Sequence, residues 1–278
     1  MCIEGHNVTV TESSFTLSKV LYNKGELNKT NAGAIAISGE NTTVSHSTFD
    51  TCTAPNNAGA ISIIGAHTTI LNCTFENCNA AEDGGAIEVN GTDCKLYNST
   101  FINNFAGDDG GAINWIGSNG YVYGINCTNN RGIGLVTKGV ESHSVGGTIS
   151  LAGDYIIVTN SNFTDSWATI AGGAVYIRGV NDIVANSTFT RCNVSLTKVY
   201  TATDYCTGGG AIFISGNNAQ VLDSNFTDIQ GRIGGTIYIK GTDARVDGAV
   251  INSSSAYVSG GAIYIDGVHA SVKNSETT

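Results

Sequence analysis

The feature that most constrains this chain is a repeat. Glycine pairs, or Ala-Gly, introduce nine similar segments whose second glycines are Gly33, Gly59, Gly85, Gly111, Gly147, Gly173, Gly210, Gly235 and Gly261. The steps between them are 26, 26, 26, 36, 26, 37, 25 and 26 residues, so the unit is 26 residues long and two units carry insertions. A chain with such a period repeats one small structural unit, and each unit can bury its apolar face only against its neighbours.

Counting from the second glycine as slot zero exposes the unit. Slot two holds Ile35, Ile61, Ile87, Ile113, Ile149, Val175, Ile212, Ile237 and Ile263, and slot four is also apolar, with Trp115 its one aromatic member. Slot six is always glycine, from Gly39 to Gly267, and slot eleven is always Val, Ile or Leu. Slot sixteen is mostly Phe: Phe49, Phe75, Phe101, Cys127, Phe163, Phe189, Phe226, Ile251, Thr277. Apolar residues two apart mark a strand with one buried face. Stacking such strands about 4.8 Å apart pairs each with its equivalents above and below and merges the apolar columns into one core. The expected fold is therefore all-β, a right-handed parallel β-helix of 26-residue rungs running through residues 1–278 as one unit, with almost no α-helix outside the insertions. The 36 Gly, the single Pro (Pro55) and the low charge content suit short strands joined by tight turns. Ile3, Gly5, Val10 and Phe15 fill slots of an earlier rung, Val272 fills slot eleven of the last, and no capping repeat is recognisable, so the chain is expected to be a segment cut from a longer protein.

With 13 basic and 23 acidic residues the net charge is -10, which repels phosphate backbones and anionic headgroups. Neither nucleic-acid binding nor membrane insertion is expected, and no run approaches the roughly 20 apolar residues of a spanning helix. Eight cysteines form no Cys-x-x-Cys pair and the five histidines are scattered, which gives zinc or redox chemistry little support. Cys52 and Cys78 share a slot on adjacent rungs at a separation that barely permits a disulfide, and Cys127 replaces a core Phe and should be a buried thiol.

Core columns are scaffold, so function is sought in outward slots and in loops that break the period. Slot three reads Ala36, Ser62, Glu88, Asn114, Ser150, then Tyr176, Phe213, Tyr238, Tyr264. The last four are the candidate ligand-binding residues, expected to form an exposed aromatic strip; the competing reading is a self-stacked ladder that stabilises the sheet. The insertions, at roughly residues 19–31, 131–145 and 193–208, all precede a glycine pair and so emerge along one edge, where the latter two could form a composite surface. Glu82, Asp83, Asp108 and Asp109 stand at equivalent positions on adjacent rungs, a grouping of hard oxygen ligands that would suit calcium, against the favoured reading of hydrated turn acids. Paired carboxylates could also cleave a glycosidic bond, which makes a polysaccharide hydrolase or lyase the alternative to a binding protein. No catalytic residue is assigned. The sequons at Asn72, Asn98 and Asn186 are glycan-acceptor candidates that the composition alone would generate.

The Gly-Gly-Ala-Ile units (Gly84 to Ile87, Gly110 to Ile113, Gly209 to Ile212) and the Phe-x-x-Asn unit at Phe101 to Asn104 resemble signature tetrapeptides of the chlamydial polymorphic outer-membrane proteins. The fuller pattern, with Asn-Ser-Thr-Phe at Asn98 to Phe101 and Asn186 to Phe189 and frequent Cys after the Phe, resembles the large adhesin-like surface proteins of methanogenic archaea. That resemblance implies display on a cell surface, outside the cell, and attachment to glycans or proteins of another cell.

Overall fold

The computed structural model describes residues 1–21, 32–134, 136–137, 140–141, 144–195 and 207–278. Among the described residues there is no helix, and the chain winds as a parallel β-helix. Three sheets run along it. The first holds ten strands, from Cys2–Ile3 through Ile35–Ile37 to Ile263–Ile265, and the second another ten, from Thr9–Thr11 to Ser271–Lys273. The third takes two short strands from most rungs, such as Thr74–Glu76 and Asn79–Ala80, which fuse in Asn225–Ile233 and Val250–Ser259. Register follows the repeat: Ile87 pairs with Ile61 and Ile113, and Phe75 with Phe49 and Phe101. Within the second insertion Val136–Thr137 pairs antiparallel with Val140–Glu141. Most of the first and third insertions, residues 22–31 and 196–206, lies outside the described residues, so the expected composite loop surface is outside them as well.

Each rung turns at corners that use left-handed backbone, and this explains the abundance of Asn. Asp93, Asn98 and Asn103 have φ of 57°, 45° and 55°, and Gly110 closes the same rung at 63°. Side chains of Asn and Asp tolerate this conformation best among non-glycine residues. The slot-zero and slot-six glycines answer a different demand, the close approach of stacked rungs. A side-chain carbon on Gly85 would lie 2.1 Å from the carbonyl oxygen of Gly111, and one on Gly65 2.0 Å from that of Gly39.

The inward slots form one continuous core of Ile, Val, Leu and Phe. Phe15, Phe49, Phe75 and Phe101 stack with centroids 4.8 to 5.0 Å apart, and Phe163, Phe189 and Phe226 resume the stack beyond Cys127. The rung with Cys127 also carries Trp115 in slot four, and Gly120 leaves room for it, since a side-chain carbon there would sit 2.6 Å from the indole. Polar ladders line the inner corners. Asn104, the Asn of Phe-x-x-Asn, and Asn130 in the same slot of the next rung are buried and donate through Nδ2 to the carbonyls of Phe75 and Phe101 at 3.1 and 3.0 Å. Where Cys replaces this Asn the thiol makes the same contact, Cys78 Sγ to Phe49 O at 3.5 Å and Cys192 Sγ to Phe163 O at 3.5 Å. The described cysteines, Cys52 and Cys78 included, are free thiols, and Cys127 is buried as expected.

Candidate functional site

The segment before each glycine pair folds back over the outer face of the first sheet. The turn is made by the first glycine: at Gly84, with φ of 63°, a side-chain carbon would meet the carbonyl of Ile87 at 2.4 Å. Slot three therefore points away from the main core yet is covered, and both predicted sites lie under or within this strap.

The aromatic row is a ladder and not an exposed strip. Phe213 is 5% exposed and Tyr238 2%, while Tyr176 and Tyr264 are half-buried. Together with Ile170, Ala171, Val145 and Ile233 of the strap they make a second, smaller apolar cluster. Their rings pack in turn, Tyr176 to Phe213 at 5.5 Å, Phe213 edge-on to Tyr238 at 4.7 Å, and Tyr238 edge-on to Tyr264 at 5.1 Å, and the hydroxyl of Tyr176 accepts from Ser215 Oγ at 3.1 Å. Edge-on packing and strap contacts bury the faces a ligand would need.

In the earlier rungs the strap is polar. Asn57 Oδ1 accepts from the backbone amide of Asp83 at 3.3 Å, Asp83 Oδ1 from that of Asp109 at 2.9 Å, and Asp109 Oδ1 from that of Val145 at 3.2 Å. Each side chain thus caps the strap of the next rung. Asn57 Nδ2 also donates to Glu88 of slot three at 2.6 Å, where Glu88 is buried. Burial raises the carboxyls of Asp83 and Glu88, and burial with the charges of Asp83 and Glu82 pushes Asp108 up to about 7. Asp109 is raised well above its usual range by burial and then by Asp83 and Asp108. Among the described residues no three His, Cys, Asp or Glu side chains converge to hold a metal ion, so Glu82, Asp83, Asp108 and Asp109 are not gathered as the calcium cage that their spacing suggested. Glu82 stays exposed. Backbone capping is what draws Asp83 and Asp109 along the strap instead of toward a shared centre.

A solvent-facing cleft lies elsewhere, on the outer face of the third sheet. It has a volume of about 640 Å³ and is lined by Asn129, Arg131, Ile133, Asp165, Trp167, Arg191 and Asn193. Two columns build it. Slot eighteen, a left-handed corner, supplies Asn129, Asp165 and Arg191, with φ of 53°, 54° and 50°. Slot twenty supplies Arg131, Trp167 and Asn193, in register on three consecutive rungs. The rung of Trp167 is the one without an insertion, and the second and third insertions leave the scaffold beside Arg131 and Asn193, so the cleft opens between their roots. Trp167 is half-buried, whereas Trp115 is wholly in the core.

The two arginines differ. Arg191 forms a two-pronged ion pair with Asp165, Nε to Oδ1 at 2.7 Å and Nη2 to Oδ2 at 2.8 Å, which lowers the Asp165 carboxyl. Arg131 directs Nε and Nη2 at the neutral amide oxygen Asn129 Oδ1, at 3.1 and 2.9 Å, and among the described residues no acid pairs with it. Asp165 and, on the next rung, Asp228 both act on Arg191, so among the described residues lining the cleft Arg131 is the cation without an acidic partner, in a chain whose net charge is -10. Sequence reasoning followed slot three and passed over slot twenty, although Arg131 and Trp167 stand out in that column. No family model matches the chain, and no curated protein does either.

Proposed function

We propose that this chain is an adhesin-class binding module, displayed outside the cell, that attaches to glycans of another cell through the cleft around Trp167. The observation that carries this reading is the indole set between a guanidinium, Arg131, and an amide, Asn193, on successive rungs of a rigid sheet. An indole offers a flat apolar surface for the C–H face of a sugar ring, and amides and guanidinium groups satisfy its hydroxyls. Strands fixed by ladders above and below hold these side chains in place before the ligand arrives, which limits the entropy lost on binding. The repeat architecture supports the same reading, because a solenoid presents extended surfaces along which a chain-like ligand can lie.

The test is a glycan array probed with the purified chain and with Trp167→Ala. Retained melting behaviour with lost binding supports the cleft. Unchanged binding by Trp167→Ala overturns it, and so does the appearance of new reducing or unsaturated sugar ends, which would make the protein an enzyme.

A further inference from the structure

We infer that the glycan recognised in this cleft is anionic, a sugar chain carrying carboxylates, with Arg131 as the residue that selects it. This rests on the glycan-binding reading above and adds the chemical class of the ligand. A guanidinium has five N–H groups arranged along edges, each able to meet a carboxylate with two parallel hydrogen bonds. In Arg191 the Nε–Nη2 edge is spent on Asp165, so its charge is already answered. In Arg131 the same edge rests on Asn129 Oδ1, a neutral acceptor that orients the group without neutralising it. The remaining edge of Arg131, bearing Nη1, has no described protein partner, and Arg131 is exposed.

Orientation by Asn129 matters because a free arginine loses side-chain freedom on binding, whereas one already held loses less. Asn129 is itself tied down: its Nδ2 donates to Asn103 Oδ1 at 2.7 Å. The cleft therefore presents a fixed cation, then an indole, then an amide, each one rung further along the axis, at intervals of about 4.8 Å. A polysaccharide laid along the axis would meet Arg131 with a carboxylate, Trp167 with a ring face and Asn193 with hydroxyls. One unanswered charge beside one aromatic surface fits a polymer in which acidic and uncharged sugars alternate better than one that is acidic at every unit.

The experiment compares a hyaluronan hexasaccharide, in which uronate and N-acetylhexosamine alternate, with the uncharged chitin hexasaccharide, by calorimetry at low and high salt. The expected result is about tenfold tighter binding of the acidic oligomer at low salt, the scale of one charge-assisted pair, shrinking as salt rises. Arg131→Gln keeps hydrogen-bonding capacity without charge and should erase the preference, leaving weak binding of both oligomers. Arg131→Lys keeps the charge without the fork and should retain part of it. Equal affinity for both oligomers, with both lost in Trp167→Ala, overturns the anionic ligand and leaves the glycan reading standing. No binding of either oligomer, with none of an array of acidic and neutral glycans bound, overturns both. Circular dichroism of each variant separates these outcomes from misfolding.

Discussion

Gly208 lies against the ring of Tyr238: a side-chain carbon on Gly208 would come within 2.5 Å of Tyr238 Cδ1 and within 2.4 Å of the carbonyl oxygen of Ile233. Strap and aromatic row are therefore packed to contact, and the row is part of the fold. We predict that Gly208→Ala costs about 1–3 kcal/mol by overpacking, and that Tyr238→Ser costs about 3 kcal/mol or more by opening a cavity. Both variants should melt several degrees lower and bind glycans as the parent does. A Tyr238→Ser variant that melts normally but loses binding would return the row to the role of ligand site.

The columns were legible because stacking makes every rung repeat the same burial: Ile87, Leu96 and Phe101 could be placed inward by counting alone, and the structure puts them there. What counting missed at slot three is a fold-back of the main chain. Period-two alternation says that Tyr238 faces away from the core, but whether that side meets water depends on the positive φ of the preceding glycine, which throws the strap across it. The cleft escaped for a different reason. Slot twenty changes character at each rung, from Asn79 to Phe105 to Arg131 to Trp167, so it carries no periodic signal, and only the corner at slot eighteen brings Asp165 and Arg191 beside it.

Trp115 and Gly120 should be energetically coupled. The indole occupies the space in front of Gly120, whose φ is not in the left-handed region, so Gly120→Ala is opposed by the ring and not by the backbone. We predict a cost of about 1–3 kcal/mol for Gly120→Ala in the parent and a clearly smaller one in a Trp115→Leu background. A double-mutant cycle read by denaturant unfolding checks this, and additive costs would show that the indole moves aside freely.

Cys78→Asn should stabilise the chain. The thiol already stands where Asn104 and Asn130 stand on the next rungs, and it meets the Phe49 carbonyl less closely than Asn104 Nδ2 meets that of Phe75, 3.5 against 3.1 Å. In the Asn rungs Oδ1 also accepts a backbone amide from the rung below, as Asn104 does from Cys78 N at 2.9 Å. The Cys52 amide already meets the Cys78 thiol, and the substitution gives it an oxygen acceptor in place of sulfur, a gain of about 0.5–1 kcal/mol. A lower melting temperature than the parent would show that the extra volume is not accommodated.

Asp182 gives the clearest pH dependence. It fills slot nine, facing inward, with no exposed surface. Oδ1 accepts from Ile156 N at 2.8 Å, whereas Oδ2 is buried without a partner, packed against Gly179. Burial, set against the Ile156 amide and reinforced by the charge of Asp154, pushes its carboxyl up to about 7 from an ordinary value of 3.8. A folded pKa above the unfolded one means that the folded chain holds the proton more tightly. The contribution is therefore fully present below about pH 4 and is lost as pH rises through about 7. Three units correspond to about 4 kcal/mol at most. Asp108, raised in the same direction, adds to the trend, while Asp165 and Asp247, lowered by their partners at half-buried surface positions, oppose it weakly. Asp182→Asn keeps the acceptor for Ile156 and cannot ionise, so it should match the parent near pH 4 and exceed its stability at pH 8. Denaturant midpoints measured across that range decide the matter: curves for parent and variant that stay parallel would mean that Asp182 is ionised in the folded chain at neutral pH, with its second oxygen satisfied by water.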